Sequence, residues 1–527
     1  MGTILGLQLF LLLAAIDQTV ISTAMPKIVE QLGGFDRYSW ATAGYLLTST
    51  LAVPVAGKLS DMYGRRLLLL LSVGLFIVAS ILCGMAQSMP GFPLDGMNQL
   101  IFFRLVQGIG GGGIVSLAFT VVGDLFTPHE RGRYQGYFAA VFALASIAGP
   151  ALGGYVADTF SWRWLFFVNV PVGFLGTWLF WACYWERHHN PIVAGFDWRG
   201  LILFCLSSSI FLVGVSSPSL PKHPYTTALW LFISALLFWL FVKVEKSVPN
   251  PFLPIGLMRQ PIILISIISL AVYGVGMFGG ILLVPLLMQG VRGLSAGRSG
   301  LILSPLIVTV ALASVIGGLW MSRTGKYKVI ILTGLLCMAV GMAFLATLNA
   351  DVSLSILFST FMVISVGIGL LLPIYTVVIQ NSVSDELVGT VTGLSQFFRS
   401  AGGTLGVACF GSLLLGLYNA NLAMTLPPGV PPNAVQAMTK PLDRVKLRLA
   451  LSKALTATSP DAGSSSNEKL EATLEGLTKD ALYRSMQQIH LIYTTLLTAT
   501  FLLNLLLEEL TLRKTWSEPT QKTRAQQ

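Results

Sequence analysis

Charge is what this sequence has least of. Asp, Glu, Lys and Arg together make up 11% of 527 residues, and histidine and cysteine number five each. Cys83, Cys183, Cys205, Cys337 and Cys409 are scattered through apolar segments with no CxxC spacing, which argues against a disulfide framework or a thiolate metal site. No HExxH, no GxSxG and no grouped His or Asp ligands occur, so neither a metal centre nor an enzyme is expected. The pair His188–His189 reads as solvated rather than metal-binding. The run GIGGGG, Gly108 to Gly113, has the look of a phosphate loop, but no GK[ST] follows it and it lies inside an apolar stretch. It reads as helix packing, and without a phosphate loop ATP hydrolysis has no support.

What fills the chain instead is apolar: 54% of residues are hydrophobic and the mean hydropathy is +0.74. Runs of about 20 apolar residues recur throughout, matching the ~30 Å bilayer core at 1.5 Å per residue. Alternating ten-residue strands are absent, so a membrane β-barrel is excluded. The first run has no basic n-region or convincing cleavage site, so it reads as a retained span whose tight start at Met1 leaves room for a longer natural N-terminus. The net charge of +10 is spread over short gaps between apolar runs, which indicates topology and no nucleic-acid partner.

Fourteen spans are expected, near 3–29, 40–59, 67–86, 98–123, 134–157, 162–185, 198–216, 225–243, 262–289, 297–321, 327–348, 352–379, 388–417 and 488–507. Short gaps after even-numbered spans hold 13 Lys and Arg, against 6 after odd-numbered ones. By the positive-inside rule both termini are cytoplasmic, and so is the loop GKLSDMYGRR, Gly57 to Arg66.

An internal repeat divides these spans. GLWMSRTGKYK echoes GKLSDMYGRR, with Gly318 and Gly325 answering Gly57 and Gly64. In the fifth span of each half, Gly136, Gly149 and Gly154 answer Gly393, Gly406 and Gly411 at a constant offset of 257. The expected plan is a six-helix half at 1–186, two inserted helices with their linkers at 187–260, and a second half at 261–527. A long extracytoplasmic connection at about 418–487 precedes the last span and reads as partly helical.

GKLSDMYGRR resembles the signature loop of the major facilitator superfamily. RLVQGIGGGG and GPALGG resemble its fourth- and fifth-span motifs, the latter its antiporter motif, and IDQTVISTAMPKI resembles the first-span motif of its fourteen-span drug:proton antiporter branch. The resemblance covers nearly the whole chain. It implies the all-α major-facilitator fold, with two pseudo-symmetric six-helix halves plus two inserted helices. It also implies a monomer in the inner or plasma membrane that exports small lipophilic molecules against protons by alternating access, needing a proton gradient and no cofactor. A dedicated exporter of one metabolite, lipid or siderophore is the alternative.

Several residues carry that expectation. Arg65 and Arg66 serve topology, with Gly57 and Gly64 allowing a sharp turn. Asp61 is not needed for topology; the resemblance makes it part of a cytoplasmic latch between halves, the plainer reading being a solvated loop. Asp17 and Arg104 are ionisable residues inside spans, costly enough to suggest function. At 1.5 Å per residue they lie about 18 and 10 Å below the outer side, close enough to meet. Burial disfavours the Asp17 charge and a nearby Arg104 favours it, opposed influences that suit a proton-coupling carboxyl; a static ion pair is the other reading. In GPALGG, Pro150 removes a helix hydrogen bond while Gly149, Gly153 and Gly154 allow close helix approach. Arg399 could face an anionic substrate group or a backbone carbonyl, and Gln396 and Tyr375 are cavity residues or packing elements. Asp17 is the one acid placed deep in a span, which tilts the substrate towards neutral, anionic or singly charged lipophiles.

Overall fold

The computed structural model describes residues 2–34, 37, 39–87, 95–185, 195–216, 224–294, 296–350, 352–426, 438 and 464–513. Every regular element among them is helical. In chain order these are α1 (Gly2–Leu32), α2 (Ser39–Tyr63), α3 (Arg65–Met85), α4 (Gly96–Leu125), α5 (Pro128–Thr159), α6 (Trp164–Cys183, interrupted at Val168), α7 (Trp198–Ser216) and α8 (Pro224–Ser247). They continue as α9 (Pro261–Pro285), α10 (Ala296–Thr324), α11 (Lys328–Thr347), α12 (Leu354–Asn381), α13 (Val388–Thr425) and α14 (Ser464–Leu505). A π-turn, Leu286–Val291, prolongs α9.

Local chemistry sets several boundaries. Asp95 caps α4 by accepting from the Asn98 N–H at 2.8 Å. Thr127 and Glu130 form a reciprocal capping box on α5, with Pro128 in the first turn where its missing N–H costs nothing. Gly64 begins α3 at φ 96° and Gly325 ends α10 at φ 69°, left-handed values that favour glycine at both repeat-related turns.

Among the described residues, 12 helices are long and apolar enough to cross a membrane. The expected fourteen exceeds that by α2, 25 residues long with polar residues along its length, and by α5, 32 residues long, several of whose side chains lie outside the described set. Polar residues on both reach the other half: Asp61 of α2 accepts from Gly389 and Thr390, and Gln135 of α5 donates to Gln380. Large side chains left bare, such as Phe232 and Trp239 on α8, face where lipid would be.

Helices α1–α6 enclose two apolar clusters of their own, and α9–α14 share a third with the inserted pair α7–α8. That pair packs on α13 through Phe204 and Phe397, whose ring centroids lie 5.0 Å apart. The expected 418–487 connection is shorter than the hydropathy suggested. α13 runs on to Thr425 and α14 starts at Ser464. The stretch DRVKLRLALSKAL lies outside the described residues.

Candidate functional site

Asp17 and Arg104 meet. Arg104 is fully buried and its Nη1 donates to Asp17 Oδ2. The same Nη1 donates to Gln107 Oε1 at 2.8 Å, one helical turn further along α4. Gln107 Nε2 in turn donates to Asp17 Oδ1 at 3.0 Å, and Asn169 Nδ2 of α6 reaches that oxygen at 3.2 Å. Asn169 also donates to Ser80 Oγ at 2.9 Å, tying α3 to the cluster. On the guanidinium's other side, Nε donates to the Ala41 carbonyl at 3.2 Å and the Tyr45 ring lies 4.2 Å away. Every group facing the Asp17 oxygens is a donor, the pattern an ionised carboxylate requires. The cluster is sealed from solvent, with Asp17 4% and Asn169 3% exposed.

At the face carrying GKLSDMYGRR the two halves are closed against each other. Asp61 Oδ1 accepts from the Gly389 N–H at 2.9 Å, and Oδ2 from the Thr390 N–H and hydroxyl at 2.6 and 2.8 Å. The carboxylate thus caps the N-terminus of α13, where the helix dipole favours negative charge. Arg65 joins Asp61 at 3.3 Å, pairs with Asp124 of α4, and donates to the Asp385 carbonyl at 3.1 Å across the halves. Arg66 turns away, donating to the Trp181 carbonyl at 2.8 Å within its own half. One layer deeper, Gln135 Nε2 donates to Gln380 Oε1 at 3.3 Å, and Gln380 to Thr392 Oγ1 at 2.8 Å.

Glycines make this closure possible. α2 crosses α13 so closely that a Cβ on Gly393 would sit 2.8 Å from Pro54 Cα, and one on Gly389 2.6 Å from the Gly57 carbonyl oxygen. In the repeat-related crossing of α5 and α10, a Cβ on Gly136 would lie 2.8 Å from the Ser314 carbonyl oxygen, and one on Gly132 3.0 Å from that of Gly318. The repeat seen in the sequence is therefore a pair of matched helix crossings.

The GPALGG residues differ among themselves. Gly149 packs on α1, where a Cβ would come within 2.8 Å of Thr19 Cβ, two residues from Asp17. Gly153 is buried, while at Gly154 a Cβ would meet nothing within 4 Å. The Pro150 side chain lies outside the described set. Of the three candidate cavity residues, Tyr375 is engaged in packing: its hydroxyl donates to Asn504 Oδ1 of α14 at 3.1 Å, and Asn504 donates to Ser269 Oγ of α9 at 2.8 Å. Gln396 and Arg399 lie on one face of α13.

Residues 8–407 match the family model described as Major Facilitator Superfamily. The chain belongs to the Major Facilitator Superfamily. It is 39% identical to the Multidrug transporter protein MdtP of Bacillus subtilis over 417 residues, 78% of this chain and 74% of that one. It is 33% identical to Multidrug resistance protein 3 of the same organism over 424 residues, 80% of each. Among solved structures, that of the human organic anion transporter MFSD10 superposes with a TM-score of 0.57 at 16% identity, covering 78% of this chain and 93% of that one, which shows the fold alone.

A member of this superfamily is a multi-pass membrane transporter and not an enzyme. Sequence reasoning found the charged half of its N-terminal cluster and missed Gln107, Asn169, Tyr45 and Ser80. Gln107 carried a usable signal, an amide one turn from a buried Arg inside an apolar span. Asn169 carried none, because only the fold of α6 against α1 and α3 brings it there.

Proposed function

We propose that this superfamily member is a proton-coupled antiporter that exports lipophilic small molecules. The similarity to proteins named for multidrug transport and resistance supports the export of varied substrates. The observation that carries proton coupling is the buried Asp17 carboxylate, held by Arg104, Gln107 and Asn169 yet two residues from the point where Gly149 crosses α1 at Thr19. In this reading all fourteen long helices span the inner or plasma membrane, both termini are cytoplasmic, and the chain acts as a monomer without a cofactor. The closed GKLSDMYGRR face is then cytoplasmic, and the conformation is the outward-facing one. Protonation of Asp17 from outside would release Arg104, loosen α1 against α4, and favour opening of the Asp61 latch. Each proton entering down the potential supplies about 2.3 kcal/mol per 100 mV.

The test is transport by the purified chain in liposomes containing a pH dye, with a panel of lipophilic compounds added outside. Compound-triggered proton movement in wild type that is lost in Asp17→Asn is the expected result. Proton movement surviving the substitution would remove Asp17 from the coupling role. A panel that moves no protons would overturn the antiport reading.

A further inference from the structure

Three polar side chains in the second half lie deep in protein with no hydrogen bond or ion pair among the described residues: Tyr273 on α9, and Gln396 and Arg399 on α13. The Tyr273 hydroxyl, Gln396 Oε1 and Arg399 Nε are each buried and unpartnered. Tyr273 and Gln396 are almost wholly buried, whereas Arg399 keeps some accessible surface although protein surrounds it.

The backbone brings the three together. Gln396 and Arg399 are one helical turn apart on α13. Tyr273 precedes Gly274, which packs on the Arg399 carbonyl, and a Cβ at Gly274 would sit 2.9 Å from the Gly403 nitrogen. The crossing continues one turn on, where a Cβ at Gly406 would lie 2.6 Å from Val275 Cα. Tyr273 and Arg399 are within electrostatic reach of each other, and no other ionisable group among the described residues shares that reach with Arg399. Eleven residues from the start of α13, Arg399 lies about 16 Å into the helix, near mid-bilayer.

The contrast with Arg104 is instructive. Arg104 has Asp17 opposite it, while Arg399 has no carboxylate among the described residues. A buried guanidinium without a counter-charge is expensive, and the group that best relieves it is a planar anion able to accept from its fork of donors. The Tyr273 hydroxyl adds a neutral donor, and the Gln396 amide adds one when its NH2, in place of the buried oxygen, is turned towards the anion. Asp17, the one acid the sequence places deep in a span, has both oxygens occupied in this state and offers nothing to a cationic substrate.

We propose that Arg399, Tyr273 and Gln396 form a binding site for the anionic group, carboxylate or sulfonate, of an amphiphilic substrate. This rests on the export reading above and narrows its substrate class to lipophilic anions. Between α9 and α13, such a site would hold the substrate's charge while its apolar body lies among neighbouring apolar side chains.

The test uses two fluorescent probes of shared skeleton, anionic 8-anilinonaphthalene-1-sulfonate and neutral N-phenyl-1-naphthylamine. Binding to the purified full chain and efflux from proteoliposomes are measured for wild type, Arg399→Gln, Arg399→Lys and Tyr273→Phe. The expected result is that wild type takes the sulfonate and Arg399→Gln weakens its binding at least about tenfold, with the neutral probe changed less than about twofold. Arg399→Lys should retain part of the affinity, and Tyr273→Phe should lose a few-fold for the sulfonate alone. Retained binding of the neutral probe shows that each variant is folded, and if Arg399→Gln fails to fold, Tyr273→Phe carries the comparison. Equal loss for both probes, or no loss for either, would overturn the site and leave Arg399 a packing element. A wild type that moves the neutral probe but not the sulfonate refutes the site while leaving export intact. A wild type that moves neither defeats the export reading, and this one with it.

Discussion

Adding one methyl at Gly389 should open the closed face. In the structure that Cβ would lie 2.6 Å from the Gly57 carbonyl oxygen and 2.7 Å from Ser60 Oγ, and against Asp61 Oδ1. A carbon needs about 3.3 Å from a carbonyl oxygen, so α2 and α13 must part by about 0.7 Å. Moved by that amount, the 2.9 Å bond from Gly389 N to Asp61 passes out of hydrogen-bond range, and the 2.6 Å bond from Thr390 N is stretched to its limit. Hydrogen bonds to charged groups contribute roughly 1.5–3 kcal/mol each, and water replaces part of that. A net loss of about 2 kcal/mol would lower the ratio of closed to open molecules about thirtyfold. The assay is a distance distribution between spin labels at Tyr63 and Arg323, exposed positions at the ends of α2 and α10, in a background without native cysteines. Gly389→Ala should add a longer-distance population, and Gly154→Ala, where a Cβ meets nothing within 4 Å, should not. An unchanged distribution in Gly389→Ala would mean that the Asp61 latch does not govern closure.

Three further outcomes follow from the same geometry. Gly149→Val should wedge α1 from α5 at Thr19 and cost about 1–3 kcal/mol, read as a lower melting temperature of the purified protein. Asn169→Ala should remove one of the donors to Asp17 Oδ1 and the partner of Ser80, costing about 1–3 kcal/mol; a melting temperature within error of wild type would refute the network. Outside the spans, the Asn98 N–H and then the Arg37 guanidinium hold the Asp95 carboxyl below the usual carboxylate range, against a partial opposing effect of burial. A depressed folded value means that this contact stabilises above about pH 4 and is lost as pH falls through that lower value. The melting-temperature difference between wild type and Asp95→Asn should therefore hold from neutral pH to about 5 and close below 4.

Much of this protein is written locally. Apolar runs determined the helices, because lipid leaves no other way to satisfy a spanning backbone. The cost of charge in those runs singled out Asp17 and Arg104, and depth arithmetic brought them within about 8 Å of each other in depth. The glycine repeat gave two equivalent turns, since Gly64 and Gly325 both need left-handed backbone. Other features required the fold. The target of Asp61 is a helix start 328 residues away, and no local pattern names Gly389 and Thr390 as its partners. The role of each glycine was decided the same way: Gly149 and Gly154 belong to one motif, yet only the first meets a neighbour. Tyr375 and Arg399 looked alike as polar residues within spans, and tertiary structure separated them by giving one Asn504 and leaving the other without a partner among the described residues. Hydropathy measures the cost of placing a group in the membrane. What offsets that cost is another side chain, and where that side chain stands is a property of the folded chain.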